Sequence, residues 1–290
     1  MSMIAESELI LNPDGSVYHL RLQPEELAPT IIVVGDPGRV PEISKYFDQI
    51  EVKRQNREIV THTGRVGNTR LTVMSTGMGT DNLDIVMNEL DALVNIDLKK
   101  REPLPGHKSL KIIRLGTSGA LQADIQVDSF VMSTFGIGMD GLLYFYAGNP
   151  AVTDPLLADA FTKHVSWNAK LPGIYAVKAS GSFMAEMGDG FIKGMTLTAP
   201  GFYAPQGRVL RLPLAFPQMN QLIETFQYKD SRIANFEMET SALYGLGRML
   251  GHETLTICAI IANRVNHTYS RDSHQAVDKL VQTVLGKLSK

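Results

Sequence analysis

The stretch Thr30-Ile31-Ile32-Val33-Val34-Gly35-Asp36-Pro37-Gly38-Arg39 decides the fold. Its first half is an apolar run that reads as a buried strand. Gly-Asp-Pro-Gly then reads as a turn, and a helix follows. The same pattern recurs along the chain. Arg70 to Met74 reads as a strand ending at Ser75-Thr76-Gly77-Met78-Gly79, and Lys111 to Leu115 as one ending at Gly116-Thr117-Ser118-Gly119. Leu255 to Ala262 reads as a fourth, ending at Asn263-Arg264. Helical patterns fall between them. Asp81 to Leu98 carries Leu83, Val86, Met87, Leu90, Leu93 and Val94 at helical spacing, and Met238 to Leu250 and His274 to Leu288 read as helices too. Strands alternating with helices imply an α/β layer fold. In such folds ligands sit beyond the carboxyl ends of the strands, where each Gly-rich turn falls here.

No repeat, low-complexity tract or Gly/Ser linker divides the chain, so residues 1–290 read as one domain. Residues 1–17 form an N-terminal extension. Lys178 to Thr198, rich in Gly and Met, reads as an irregular insertion that serves either as a mobile flap or as an ordinary surface excursion. A net charge of -2 gives no global attraction to nucleic acid or acidic membranes, so any anion site must be a local cluster of basic residues. Met1 to Leu11 has two Glu and no basic residue, which does not fit a secretory signal. No apolar stretch approaches the roughly 20 residues of a membrane span. The lone Cys258, in an apolar run, reads as a buried, inert thiol, and a cytoplasmic location is expected.

Three segments carry chemistry. In Phe202-Tyr203-Ala204-Pro205-Gln206-Gly207-Arg208, Gln206 offers an amide donor and acceptor, and Arg208 offers a planar fork of donors with a fixed charge. Together they match the acceptor–donor–acceptor edge of a pyrimidine-dione, and Phe202 is placed to cover the ring face. A surface turn with a solvated arginine is the plainer alternative. The turn at Gly35 to Arg39 suits an anion, because glycines let backbone N–H groups approach it and Arg39 can bind phosphate bidentately. Arg114-Leu115-Gly116-Thr117 reads as a second such βα turn. With Arg57 it supplies three arginines and a hydroxyl that could converge on one phosphate; an ion-paired Arg114 is the alternative. Glu237-Met238-Glu239 reads as opening a helix, where carboxylates are favoured in any case, but a carboxylate can also accept from the cis-diol of a ribose. His19 reads as a lone surface or satisfied histidine. The histidines show no metal-binding spacing, so neither a metal nor a cofactor is expected.

The order of these segments, from Gly35-Asp36-Pro37-Gly38-Arg39 through Arg114 to Leu121, Phe202 to Arg208 and Asn235 to Leu243 to Ala262-Asn263-Arg264, resembles the nucleoside phosphorylase family, most of all its uridine-cleaving branch. The resemblance runs from His19 to the C-terminus. It implies a single three-layer α/β domain around a mixed, partly barrel-like sheet flanked by helices. It also implies a homodimer, or a hexamer built of dimers, with sites shared across the interface. By resemblance, phosphate is held by Gly35, Arg39, Arg114 and Thr117, with Arg57 lent by the neighbouring subunit. Ribose is held by Met238 and Glu239, with Glu237 nearby and His19 reaching across the interface. The base is held by Phe202, Gln206 and Arg208, with Arg264 near its far carbonyl.

Purine-cleaving relatives place a Ser-Asp pair where this chain has Ala262-Asn263, so the acid that would protonate a purine is missing. The turn Gly79-Thr80-Asp81-Asn82 departs from the family's usual Gly-Gly-Pro-Ser. The implied reaction is reversible phosphorolysis of uridine, with inorganic phosphate as co-substrate. In it Arg208, Gln206 and Arg264 take up the charge of the departing base and Glu239 orients the sugar. A phosphorylase for another nucleoside, a nucleosidase and a non-catalytic nucleoside-binding protein are the alternatives.

Overall fold

The apolar run Thr30–Val34 is a strand, β1, buried in all but its first residue. The computed structural model describes residues 3–289, so Met1, Ser2 and Lys290 of the expected single domain lie outside the described residues. After β1 come α1 (Arg39–Ser44), β2 (Gln49–Asn56), β3 (Ile59–Val66), β4 (Thr69–Ser75) and α2 (Thr80–Asn95). A small hairpin, β5 (Ile96–Asp97) and β6 (Glu102–Pro103), leads to the long strands β7 (Lys111–Ala120) and β8 (Phe130–Gly138). Then follow α3 (Asn149–Val152), α4 (Pro155–His164), β9 (Tyr175–Lys178), α5 (Gly181–Met187) and β10 (Ile192–Thr198). The last part holds α6 (Met219–Thr225), β11 (Gln227–Tyr228), β12 (Ser231–Glu237), α7 (Thr240–Met249), β13 (Glu253–Asn263), β14 (Thr268–Tyr269) and α8 (Ser273–Leu288).

The sheet runs β11-β12-β10-β8-β13-β7-β1-β4-β3-β2. An extra antiparallel pairing of β12 with β7, Asn235 opposite Ala120 and Phe236 opposite Gly119, closes β7-β13-β8-β10-β12 into a five-stranded barrel. The sheet is mixed: β1 pairs parallel with β4 and β7, while β13 is parallel to β7 and antiparallel to β8. The fold is therefore α/β with a central, partly barrel-like mixed sheet, as expected. Helices α2 and α7 pack on each other, and α7 packs on β8, β10 and β13, while α1, α5 and α8 form a second group. The apolar spacing of α2 works as read, with Leu83, Val86, Met87, Leu90 and Leu93 buried. The N-terminal extension is tied down by Leu9 and Val17, which join the main core. No helix among the described residues is long and apolar enough to cross a membrane.

Three expectations need correction. Gly116-Thr117-Ser118-Gly119 is not a βα turn: β7 continues through it to Ala120, because β12 and β13 supply ladder partners for those residues. Glu237 does not open a helix; it ends β12, and α7 begins only at Thr240. Residues 178–198 are not an irregular insertion. They hold the end of β9, then α5, then β10, which lies between β8 and β12 with Met195 and Leu197 fully buried. The Gly188 to Gly190 cluster that suggested irregularity is the turn between α5 and β10.

Candidate active site

The carboxyl ends of β1, β4, β7, β12 and β13 open into one cleft of about 720 Å³. It brings together Gly35, Arg39, Arg114, Thr117, Phe202, Gln206, Arg208, Glu237, Met238 and Glu239, ten of the thirteen residues singled out in the sequence.

At one part of the wall the turn after β1 faces β7. Arg39 Nη2 lies 3.5 Å from Thr117 Oγ1. Arg39 has no ion-pair partner among the described residues. Its guanidinium is pushed below its ordinary range, by burial first and then by the charge of Arg114. A partly buried cation without a counter-charge, beside a hydroxyl and near a second arginine, favours an anion.

Arg114 is 6 % exposed and sits between two carboxylates. Its Nη1 is 3.2 Å from Glu237 Oε2, and its Nη2 donates to Glu239 Oε2. Burial opposes its charge, yet Glu239 and then Glu237 outweigh it and raise its affinity for the proton. The guanidinium folds back over its own strand. A Cβ on Gly116 would stand 2.1 Å from Arg114 Nη1, so only glycine fits there. The ion-paired alternative for Arg114 is thus present together with its place on the cleft wall.

The two carboxylates differ. Glu237 Oε1 accepts from Thr198 Oγ1 at 2.7 Å and Thr240 N at 3.1 Å. Its Oε2 accepts from Glu239 N at 2.9 Å and Thr240 N at 3.0 Å and faces Arg114. It caps the start of α7 and has no capacity left for a diol. Glu239 is held by Gly79 N at 2.7 Å and by Arg114, one bond to each oxygen, which leaves acceptor capacity on both. Burial pushes its carboxyl up, Arg114 opposes this, and Glu237 adds to it.

On the segment Phe202 to Arg208, Gln206 is 2 % exposed. Arg208 Nη1 donates to Gln206 Oε1 at 2.6 Å and to Phe202 O at 2.7 Å. That fixes the amide: Oε1 faces the arginine and the NH2 is left to donate. Arg208 also lies on the Phe202 ring, 3.7 Å from its centroid. One face of Phe202 is therefore taken by the arginine it was expected to help, and its first role is that of a platform. Arg208 is pushed down to about 10, by burial first and by Arg264 second.

His19, Arg57 and Arg264 do not line the cleft of this chain. Arg264 is close behind it, its Cγ 3.3 Å from where a Cβ on Gly119 would be. Its Nη1 is buried with no partner among the described residues. His19 and Arg57 lie together elsewhere: His19 Nδ1 is 2.6 Å from Glu89 Oε1, Asn56 Nδ2 donates to His19 O, and Arg57 lies over Tyr18. The cleft also includes Glu58, Met78, Asn82 and Tyr269, which carry no sequence signal beyond their nearness to the turns. Asn263 donates to Gln122 O and Ile125 O and accepts from Val265 N and Asn266 N, so it is locked into a turn and offers nothing to a base.

Asp91, His107 and His252 form a separate cluster, and none of them lines the cleft. His252 Nδ1 accepts from Leu110 N at 3.2 Å, so Nε2 carries the proton and faces Asp91 instead of offering a metal a lone pair.

Comparison with known proteins gives a consistent pattern. Residues 29–290 match the family model described as the phosphorylase superfamily. A uridine phosphorylase of Thermococcus kodakarensis (strain ATCC BAA-918 / JCM 12380 / KOD1) is 28 % identical over 89 % of this chain and 81 % of its own. A DeoD-type purine nucleoside phosphorylase of Listeria monocytogenes is 26 % identical over 83 % and 85 %. Among solved structures, a Trypanosoma brucei nucleoside phosphorylase described as showing uridine phosphorylase activity superposes with a TM-score of 0.88 at 30 % identity, covering 97 % of this chain and 99 % of its own. A purine nucleoside phosphorylase of Toxoplasma gondii shares the fold, with a TM-score of 0.66 at 21 % identity and coverage of 97 % and 98 %.

Proposed function

The chain belongs to the phosphorylase superfamily and is an enzyme of the nucleoside phosphorylase type, and from that premise we propose that it cleaves uridine with inorganic phosphate, reversibly, to uracil and ribose 1-phosphate. The observation that carries the base assignment is the Gln206–Arg208 pair. Its bond of 2.6 Å leaves an amide NH2 and the rest of a guanidinium fork facing the cleft. These donors suit the carbonyls of a uracil, and the second lone pair of Gln206 Oε1 suits the ring N3–H.

In this reading the C1′–N1 bond breaks with its electron pair passing into the base. Arg208 and Gln206, with Arg264 behind them, bind that growing negative charge more tightly than the neutral substrate. A phosphate oxygen held by Gly35, Arg39, Arg114 and Thr117 bonds to C1′ from the opposite face. The proton that phosphate gives up balances the one uracil acquires. Glu239 accepts from the ribose hydroxyls and supplies orientation rather than acid catalysis. Glu237 and Arg114 hold Glu239 in place, and Met238 packs the apolar side of the sugar.

The same proposal has the protein act as a homodimer or a hexamer of dimers, with His19 and Arg57 serving a neighbour's cleft, in a reducing cytoplasm that suits the buried free thiol of Cys258. The deciding experiment is uracil release from uridine with and without inorganic phosphate. Phosphate-dependent release is expected. Release without phosphate would replace the proposal with a nucleosidase, and turnover of inosine or thymidine in preference to uridine would overturn the base assignment.

A further inference from the structure

Behind the carboxylates runs a line of polar groups that do not line the cleft. Asp140, in the turn after β8, accepts from Leu142 N at 2.8 Å, from the Tyr175 hydroxyl at 2.8 Å and from Ser241 Oγ at 3.2 Å. Ser241 is the second residue of α7, and its backbone N–H donates to Thr198 Oγ1 at 2.9 Å. A hydroxyl that accepts on one side has its proton free for the other, and Thr198 donates it to Glu237 Oε1 at 2.7 Å. Glu237 in turn faces Arg114, which holds Glu239. Thr198 and Ser241 are fully buried, so neither has water to replace a lost partner.

We propose that Thr198, with Ser241 and Asp140 behind it, is a positioning relay that couples the start of α7 to Glu237 and thereby keeps Glu239 aimed at the ribose. This rests on the reading of the cleft as a nucleoside site. The reason lies in Arg114. One guanidinium serves two carboxylates, and each is kept to its own nitrogen by its other bonds. Without the Thr198 hydroxyl, Glu237 Oε1 loses one of its two donors and the Ser241 N–H loses its acceptor. Glu237 then turns further onto Arg114 and displaces Glu239. Of the groups assigned to phosphate, Arg114 alone touches the relay; Gly35, Arg39 and Thr117 do not.

The test is Thr198→Val, which keeps the shape and removes the hydroxyl, beside Thr198→Ser, which keeps the hydroxyl. Thr198→Val is expected to raise the nucleoside KM about tenfold, in keeping with a buried polar group left unpaired. The phosphate KM is expected to rise clearly less than the nucleoside KM, because three of the four phosphate-holding groups lie outside the relay, and Thr198→Ser restores the nucleoside KM. Unchanged nucleoside KM in Thr198→Val overturns the relay, as does an equal rise in both KM values that Thr198→Ser does not relieve. If Thr198→Val does not fold, Ser241→Ala cuts the Asp140 anchor while keeping the backbone N–H. The same split between the two KM values is expected there, and its absence overturns the proposal. A wild-type protein that cleaves no nucleoside would defeat the functional reading. The relay would then be decided by a crystal structure of Thr198→Val: displaced Glu237 and Glu239 side chains uphold it, and unmoved ones overturn it.

Discussion

Arg208 shows how much work one side chain does here. It lies over the Phe202 ring, bonds the Gln206 amide, and carries a charge that has no carboxylate partner among the described residues. Removing a preorganised charged donor of this kind costs about 10²–10³ in rate, and Arg208→Ala is expected to fall in that range in a uridine phosphorolysis assay. Arg208→Lys is expected to recover little, because a point charge has neither the fork nor the planar face. Near-wild-type turnover in either variant would refute the assignment. Glu239 gives a second prediction, in pH. Its carboxyl is raised, chiefly by burial, so it takes up a proton at a higher pH than an ordinary glutamate as the solution is acidified. The acid limb of kcat/KM is therefore expected above the usual glutamate value of about 4.3. Glu237→Gln removes the neighbouring negative charge, which lowers the Glu239 pKa and moves the limb to lower pH; a shift to higher pH would contradict this. That Gln206, Arg208 and Glu239 belong to one cleft was legible in the sequence because their chemistry is in the side chain itself. That Glu237 is consumed as a cap and that Phe202 is consumed by Arg208 depends on distances no spacing rule contains.

At the scale of elements, the site depends on where α7 begins. Its N-terminal turn rests directly on β8 at Gly136, where a Cβ would meet Ser241 Cα and N at 2.8 Å and Thr240 C at 3.0 Å. These are backbone atoms, so the helix would have to retreat. Overpacking of this kind costs about 1–3 kcal/mol, and Gly136→Ala is expected to lose that much in denaturant unfolding. It should also raise the nucleoside KM, since Glu239 is the residue immediately before the helix. Loss of stability with unchanged KM would show that α7 moves without its carboxylate. The elements that sequence reading found, β1, β4, α2 and α8, are those with long apolar patterns between clear breakers. Those it missed had conflicting local signals. Gly116 and Gly119 read as a turn, yet barrel closure pairs them in β7; β10 was obscured by glycines that belong to the preceding turn. Tertiary pairing outweighs local propensity in both cases.

For the whole molecule, the closed barrel explains why residues from distant parts of the chain share one cleft, while three of the expected residues, His19, Arg57 and Arg264, do not line it. Arg57 occupies the tip of a two-residue hairpin between β2 and β3 with φ of 52°, a left-handed conformation that costs a non-glycine residue about 1–2 kcal/mol. That conformation holds the guanidinium over Tyr18, beside His19, outside the cleft of its own chain. The adjoining surface of α2 carries Glu89, bonded to His19, and Asn88, bonded to Tyr146; next to Tyr146, Phe145 is 88 % exposed. We read this surface, with its exposed Phe145, as the face that meets a second copy. In a two-fold assembly the same patch meets itself, so each copy can give Arg57 and His19 to the other's cleft. This predicts complementation. Arg57→Ala and Glu239→Ala should each be nearly inactive alone. A heterodimer of the two contains one cleft with its own Glu239 and an intact partner arginine. Random reassembly of an equal mixture should therefore restore roughly a quarter of the wild-type sites, as two-fold pairing requires. Activity no greater than the sum of the parents, or a fully active monomer in sedimentation, would place Arg57 outside the catalytic arrangement altogether.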